Sequence, residues 1–305
     1  MKKICVIGSL NVELTVSITR FHAPGETIAG RDFKTFTGGK GGNQAVAARK
    51  LGADVRMVGK LGLDNNGSLY RQTLEAIGIH HDSVADAPEG MPSGVALIEV
   101  DAAGENRIIV VPGANALVDK KQIDGLLPTL LEADIFLLQL EIPMETVEYI
   151  AKKLHDAKKT VILDPAPAVP LSAELISHCD YITPNETELA LLTGKDTGDI
   201  EQAKAAARSL LEKGVKAVLA KRGKDGAMLI TCDEAQIIPG FKVKAIDTTA
   251  AGDSFNAGFA VALSMGYASY EAVRFANAVG ALSTTALGAQ GAMPNFEQVQ
   301  TLLNG

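Results

Sequence analysis

The sequence of 305 residues contains no tryptophan, and aromatic residues make up only 5% of it. Its three cysteines, Cys5, Cys179 and Cys232, are odd in number and lack C-x-x-C spacing, which argues against a disulfide framework or a zinc site. Free thiols are typical of a reducing compartment, so we expect a cytoplasmic protein. No apolar run reaches the roughly 20 residues of a membrane-spanning helix, and the N-terminal run is too short for a signal peptide. We therefore expect no membrane partner.

Positive charge is also scarce, because the formal net charge is −7 and no basic cluster is present. A protein that binds the phosphate backbone of a nucleic acid would normally show a basic face, so we expect no nucleic-acid partner. Hydrophobic residues make up 47% of the chain and charged residues 21%. A sizeable core can therefore form, and it must be built from aliphatic residues and alanine.

Short β-branched runs alternate with segments of helical period along most of the chain. Strands are predicted at residues 4–7, 55–58, 135–138, 161–163, 181–183 and 217–219. Helices are predicted at residues 42–51, 69–76, 144–158, 186–192 and 201–213. This alternation predicts an α/β fold with a doubly wound, mostly parallel sheet covered by helices on both faces.

Two segments interrupt that alternation. Residues 11–36 show alternating polarity and a Pro24-Gly25 turn signal, and residues 94–111 are typical of a hairpin with strands at 95–100 and 107–111. We expect them to meet as a small β-sheet lid over the carboxyl ends of the parallel strands, although two ordinary surface loops are the alternative. The α/β domain would then comprise residues 1–10, 37–93 and 112–305.

The stretch Asp247-Thr248-Thr249-Ala250-Ala251-Gly252-Asp253 precedes a strongly helical run. Ala250, Ala251 and Gly252 are therefore expected at a helix N-terminus, where unpaired amides and small side chains let a phosphate approach. Asp253 could accept the proton of an attacking hydroxyl while those amides stabilise the moving charge, as phosphoryl transfer requires. A carboxylate that merely stabilises the helix dipole is the alternative.

A second glycine-rich stretch runs Gly38-Gly39-Lys40-Gly41-Gly42-Asn43-Gln44 and leads into an alanine-rich helix. It is neither a Walker A loop nor a Rossmann fingerprint. Flexible backbone with an Asn at a helix start suits hydrogen bonding to a polyhydroxylated ligand, with a structural hinge as the alternative.

A third stretch places Asn185 and Glu188 three residues apart at a predicted helix start, after Pro184. Hard oxygen ligands on one helix face suit Mg²⁺, directly or through its waters. The alternative is a reciprocal helix cap.

Together these stretches resemble the ribokinase branch of the phosphofructokinase-B sugar kinase family. Asp164-Pro165-Ala166-Pro167-Ala168 and Gln139-Leu140-Glu141 are similar to it as well, and the resemblance runs along essentially the whole chain. It implies a doubly wound α/β fold with a β-lid that doubles as a homodimer clasp. It further implies ATP, Mg²⁺ and a monovalent cation, usually K⁺, as cofactors.

The resemblance also assigns site residues. Asp253 would be the base. The sugar would be held by Asn11, Glu13, Gly39, Lys40, Gly41, Gly42, Asn43 and Glu141. The ATP site would be lined by Asn185, Lys221, Gly223, Gly226, Gly252 and Asn277. The monovalent cation would be bound by Asp247 and by carbonyls of Thr249, Ser283, Ala286 and Gly288.

Four positions depart from the family pattern. Glu13 stands in place of a usual Asp, Lys221 in place of Thr, Asn277 in place of His, and Ala292 where a Ser often completes the cation site. The extra methylene of Glu13 moves its carboxylate outward, and positioned hydrogen bonds tolerate only small displacements. The lid must then give way, the sugar must sit differently, or the acceptor is not ribose.

The expected function is ATP-dependent phosphorylation of the primary hydroxyl of a sugar, with D-ribose and its 5-phosphate as the favoured pair. Alternatives within the family are 2-deoxyribose, a ketose, a deoxy sugar acid or a nucleoside. A non-catalytic sugar-binding regulator on the same scaffold is an alternative of another class.

Overall fold

The structure, a computed structural model, describes residues 1–305 and divides thirteen strands between two sheets. The strands are β1 Ile4–Ile7, β2 Asn11–Ser17, β3 Asp32–Gly38, β4 Val55–Leu61, β5 Val84–Asp86, β6 Gly94–Val100, β7 Asn106–Val111, β8 Ile135–Leu138, β9 Thr160–Leu163, β10 Tyr181–Ile182, β11 Ala217–Lys221, β12 Ala227–Ile230 and β13 Ala235–Ile238. The large sheet has the order β13-β12-β11-β10-β9-β8-β1-β4-β5, and only β12 and β13 are antiparallel to their neighbours. The expected mostly parallel α/β fold is confirmed.

Eleven α-helices connect and cover these strands. They are α1 Lys40–Lys50, α2 Asn65–Ile77, α3 Lys120–Leu130, α4 Met144–Asp156, α5 Ala173–Ser177, α6 Glu186–Thr193, α7 Ile200–Leu211, α8 Ala251–Ser264, α9 Ser269–Ser283, α10 Ala289–Ala292 and α11 Phe296–Asn304. None of the helices has the length and apolar character to cross a bilayer. Each helix predicted from the sequence is present with slightly different ends.

The core lies on both sides of the large sheet, because successive side chains of a strand point to opposite faces. In β1, Ile4 and Val6 belong to an apolar cluster that includes α1, α8 and α9. Cys5 and Ile7 of the same strand belong to a second cluster that includes α4 and α7. Burial on both faces explains why β1 and β8 are continuous apolar runs rather than alternating ones.

A separate four-stranded sheet has the order β3-β2-β6-β7. It joins the two segments that were expected to pair, with β2 parallel to β6 and the other neighbours antiparallel. We call this four-stranded sheet the lid sheet. Its edge strand β7 is exposed along its whole length. The boundaries of two domains within the chain stay a prediction.

Candidate active site

Polar side chains gather where the parallel strands of the large sheet end. Gln139 follows β8, Asp164 follows β9, and Lys221 is the last residue of β11. The carboxyl ends of parallel strands share one edge of a sheet, which is where open α/β sheets bind ligands. The N-termini of α1 and α8 reach the same edge, since side chains of Asn43 and Gln44 in α1 contact Asp253 in α8.

Asp253 lies in the first turn of α8 with only 5% of its surface exposed. One carboxylate oxygen accepts a hydrogen bond of 3.0 Å from Asn43 Nδ2, and the other accepts one of 3.2 Å from Gln44 Nε2. Burial, reinforced by the charge of Asp164, raises the pKa of Asp253 to about 6, although the charge of Lys40 and the two side-chain amides lower it. The carboxylate is therefore desolvated and oriented, as a general base requires.

The N-terminus of α8 leaves backbone donors without a protein acceptor. Ala250 precedes the helix in the left-handed conformation, with φ 59°, and no side chain caps the helix. The amides of Ala250, Gly252 and Asp253 donate to no protein atom, whereas the Ala251 amide donates to Thr248 O at 3.2 Å. The predicted donor set of residues 250–252 is thus amended: the Ala251 amide is engaged within the chain, and the Asp253 amide is open. Open amides at this end of a helix suit an anion.

At the N-terminus of α1, by contrast, the first backbone amides have protein acceptors. Gly39 precedes the helix with φ 79°, and a Cβ there would lie 2.7 Å from Asn11 N, so only glycine fits. The Lys40 amide donates to Glu141 Oε2 at 3.1 Å, and the Gly42 amide donates to Ser9 O at 2.9 Å. The Gly41 amide lies 3.4 Å from Ser9 Oγ, and that hydroxyl in turn donates to Glu141.

Glu13 extends from β2 toward this helix start. A Cβ added at Gly38 would lie 2.0 Å from Glu13 Oε1, so the carboxylate lies directly against that glycine. Burial and, to a smaller extent, the negative charge of Asp253 raise the pKa of Glu13 to about 7, against the lowering effect of a hydrogen bond from the Gly39 amide. Burial lowers the pKa of nearby Lys40, but the charges of Asp253 and Asp164 outweigh it and raise the pKa above its ordinary value.

Asn11, the other predicted sugar ligand on β2, is 3% exposed. Its Oδ1 accepts a hydrogen bond of 2.7 Å from Asn115 Nδ2, and Asn115 also pairs with both backbone groups of Leu10. Sequence reasoning missed Asn115, because it lies 104 residues away in a short turn without a motif.

Gln44 and Asp164 lie in two of the stretches that resemble the family, but the sequence predicts no role for either. Gln44 Nε2 lies 3.1 Å from Asp164 Oδ2 and 3.2 Å from Asp253 Oδ1, so it joins the two carboxylates. Gln139 Nε2 donates to Gln44 Oε1 at 2.6 Å and fixes which end of the Gln44 amide faces them. The sequence signal for this role was the pair Asn43-Gln44 directly before the apolar run Ala45-Val46-Ala47-Ala48, since buried polar side chains in such a place need partners.

Lys221 Nζ forms an ion pair of 2.9 Å with Asp164 Oδ1 and lies 3.9 Å from Glu188 Oε2. Glu188 and Asn185 form a reciprocal capping box at α6, which is the alternative that the sequence left open for this pair. The two roles are compatible, since a carboxylate has several acceptor positions. No group of three or more His, Cys, Asp or Glu side chains is arranged as a metal site.

A cavity of about 490 Å³ opens beside the N-terminus of α8. The predicted nucleotide residues Lys221, Gly223, Gly226, Gly252 and Asn277 all line it, whereas Asn185 does not. Asn277 Nδ2 donates to Ile238 O at 3.0 Å and to Pro239 O at 3.2 Å, which ties α9 to the loop after β13. The remaining lining residues are Lys224, Asp225, Gly240, Phe241, Lys242, Val243, Ala245, Thr248, Ala251, Phe255, Gly280, Ala281 and Thr284.

Asp247 joins the loop before α8 to the loop after α9. It accepts hydrogen bonds from the amide and hydroxyl of Thr249 at 2.9 and 2.6 Å and from the Gly288 amide at 2.9 Å. Burial opposes ionisation, but these hydrogen bonds outweigh it and lower the pKa of Asp247. The Ser283 hydroxyl donates to Gly280 O at 2.9 Å. Among the predicted cation ligands, Asp247 therefore contacts Thr249 and Gly288, but through their amide and hydroxyl groups rather than through the carbonyls that would bind the cation.

The profile of the pfkB family carbohydrate kinases matches residues 1–295 of the chain. The chain belongs to that family. This pfkB-family protein is an ATP-dependent carbohydrate kinase.

Three known proteins are similar to this pfkB-family kinase over nearly its whole length. A ribokinase of Bacillus subtilis (strain 168) is 42% identical over 304 residues, which cover 100% of both chains. A deoxyribokinase of Salmonella typhi is 37% identical over 304 residues, 99% of this chain and 98% of its own. The structure of Arabidopsis thaliana ribokinase complexed with ribose and ATP has a TM-score of 0.92 at 36% identity, covering 100% of this chain and 99% of that one.

Proposed function

We propose that the protein transfers the γ-phosphoryl group of ATP to the primary hydroxyl of D-ribose, giving D-ribose 5-phosphate and ADP. The observation that carries this proposal is the pairing of a buried, oriented carboxylate, Asp253, with open amides in the same helix turn. The hydroxyl loses its proton to Asp253, its oxygen attacks the γ-phosphorus in line, and the bond to the leaving ADP oxygen breaks. The amides of Ala250, Gly252 and Asp253 stabilise the charge on the transferring group.

The sugar would bind between α1 and the lid sheet. Asn11, Glu13, Asn43 and Lys40 supply donors and acceptors there, and a rigid site built for hydroxyl groups rejects analogues that lack one. The resemblance to ribokinases supports ribose as acceptor. ATP would occupy the cavity beside α8, with Asn277, Gly223 and Gly226 along its wall.

2-Deoxyribose is the second candidate acceptor. It is favoured by Glu13, whose longer side chain lies against Gly38, and by the similarity to a deoxyribokinase. A nucleoside is disfavoured, because a nucleoside pocket usually stacks the base on aromatic side chains and aromatic residues are only 5% of the chain. A non-catalytic regulator is disfavoured by the intact set of Asp253, Gly252, Asn185 and Glu188.

The residues at the start of α6 suit Mg²⁺ bound through its water molecules. The Glu188 carboxylate already accepts a hydrogen bond of 2.8 Å from the Asn185 backbone amide. Asn185 and Glu188 would therefore hold Mg²⁺ through water, with phosphate oxygens as its other ligands. Bound Mg²⁺ would neutralise phosphate charge. K⁺ fits the oxygen donors around Asp247, whose lowered pKa keeps the carboxylate ionised. Thr249, Ser283, Ala286 and Gly288 would supply the carbonyls of that site.

The lid sheet would also serve as the contact of a homodimer. Ile108, Ile109, Val110 and Val111 of β7 are exposed, as is Phe33 of β3, and an apolar surface of this kind is typical of an interface. The cytoplasmic location stays a prediction from the free cysteines.

The test is ADP release measured with a panel of pentoses, hexoses and nucleosides, each with and without K⁺. We expect ribose to give the highest kcat/KM and K⁺ to raise it. Preference for deoxyribose would move the assignment to the second candidate and make Glu13→Asp the next variant to measure. Absence of sugar-dependent ADP release with every compound would refute the proposal.

A further inference from the structure

Lys221 is a partly buried cation between the nucleotide cavity and Asp253, the proposed base. Its side chain is 12% exposed, and its backbone is fixed at the end of β11, where its amide donates to Pro184 O at 2.8 Å. The ammonium group has three hydrogen-bond donors, and Asp164 Oδ1 is the one protein acceptor within hydrogen-bonding distance. Donor capacity therefore remains on the side that lines the cavity.

The ammonium group also lies beside the open amides of α8. A Cβ added at Gly252 would lie 3.4 Å from Lys221 Nζ, so the two groups border the same space. The Gly252 amide has no protein acceptor. A full positive charge next to open amides in a partly desolvated cleft is an arrangement that binds a multiply charged phosphoryl group.

The carboxylates near Lys221 do not use all of its hydrogen-bond donors, because most of their oxygens already accept from other residues. Asp164 uses its second oxygen to accept from Gln44, and both Glu188 oxygens accept hydrogen bonds from Asn185. Lys221 thus begins a continuous polar path through Asp164 and Gln44 to Asp253, in which every contact is 3.2 Å or shorter. Through this path the cation has a fixed position relative to the base.

We infer that Lys221 is a catalytic residue whose ammonium group binds the γ-phosphoryl oxygens during transfer, as a charged addition to the open amides of Gly252 and Asp253. The inference rests on the proposed function, because it needs a phosphoryl group to pass between the cavity and Asp253. As the bond to ADP breaks, negative charge is spread over the equatorial oxygens of the transferring group, and a cation placed against those oxygens stabilises the transition state more than bound ATP.

The experiment compares Lys221→Met and Lys221→Arg with Lys216→Met. Lys216 is an exposed lysine just before the same strand, at the opposite end from the site. We expect Lys221→Met to lower kcat by about 10²–10³ with the KM for ATP changed less than about threefold, the pattern of a lost transition-state donor. Lys221→Arg should recover part of that loss, and Lys216→Met should behave as the wild type.

A binding measurement separates catalysis from structure. Affinity for ADP is measured alone and with aluminium fluoride, a mimic of the transferring group, in the presence of the sugar. The wild type should bind ADP more tightly with aluminium fluoride, and Lys221→Met should lose this gain while its affinity for ADP alone is retained. A Lys221→Met variant with kcat within about fivefold of the wild type, or with weakened binding of ADP alone, would overturn the inference. A wild type that phosphorylates no sugar would instead refute the proposed function.

Discussion

The N-termini of α1 and α8 meet at one site but differ in whether their first backbone amides have protein acceptors. Both helices begin after a residue with positive φ, Gly39 and Ala250, and neither has a side-chain cap. At α1 the first amides are taken by Glu141 and Ser9. At α8 the amides of Gly252 and Asp253 have no protein acceptor.

This difference suits the two helix starts to different parts of a substrate. At α1 the first amides already donate to protein oxygens, so only side chains are available there to bind the hydroxyl groups of a neutral polyol. The α8 side keeps its donors for an anion, which is where a phosphoryl group would place its charge. Helices α2 and α3 differ from both, because a side chain of the residue before each helix, Asp64 or Asp119, accepts a hydrogen bond from an amide of the first turn.

The largest expected effect comes from breaking the link between the two helices at Asp253. We expect Asp253→Asn to lower kcat by about 10²–10⁴, the usual contribution of a general base. The measurement is steady-state ADP release, with circular dichroism to verify folding. The matched control is Asp233→Asn in an exposed turn, which should retain wild-type activity. Near-normal turnover by Asp253→Asn would remove the base from the mechanism.

The next effect tests why α1 begins with glycine. Gly39→Ala would place a Cβ 2.7 Å from Asn11 N in a backbone conformation with φ 79°, so we expect the free energy of unfolding to fall by about 2–3 kcal/mol. Urea unfolding measures this change. Gly52→Ala is the control, because Gly52 also has positive φ, 92°, but a Cβ there meets nothing within 4 Å. Equal losses in the two variants would show that conformation alone, without the contact, sets the requirement.

The comparison of the two helix starts also shows what sequence could and could not supply. The apolar run of β1 predicted a buried strand, because burial on both faces of a sheet demands apolar residues. Residues 247–253 predicted a carboxylate beside open amides at a helix start, and the structure places Asp253 there, while its role as base stays a prediction. Asn115, which holds Asn11, escaped prediction because its contact depends on tertiary folding alone. Helix α3 was missed since Gly125 and Pro128 interrupt its pattern, and it is stabilised by packing of Ile123 and Leu130.

A smaller effect concerns pH. The carboxyls of Glu13 and Asp253 have pKa values raised to about 7 and about 6, so both bind protons more strongly when folded than when unfolded. The acid limb of kcat/KM should therefore fall between about pH 7 and 6 as the base is protonated. Glu13→Gln removes a repelling charge, so we expect its acid limb to lie at lower pH. An unchanged limb would show that the two carboxyls do not interact.

The same ionisation bears on stability. Because the pKa of Glu13 is raised from its ordinary 4.5, the stability it contributes is present in full below that value and is lost as pH rises through about 7. Glu13→Gln does not titrate. The ligand-free variant should therefore gain melting temperature relative to the wild type as pH rises from 5 to about 8.

The smallest effect concerns Ala250, the counterpart of Gly39 at the open helix start. An L-residue in the left-handed conformation costs about 1 kcal/mol, and glycine would relieve it, but glycine also gains freedom in the unfolded chain. We therefore expect Ala250→Gly to change the free energy of unfolding by less than about 1 kcal/mol and to lower kcat by a few-fold, because the open amides would be less firmly oriented. Urea unfolding and ADP release on one preparation measure both. A fall in stability comparable to that of Gly39→Ala would mean that alanine at 250 makes packing contacts that matter more than its strain. In that case the two helix starts would share a steric requirement and differ only in where their amides point.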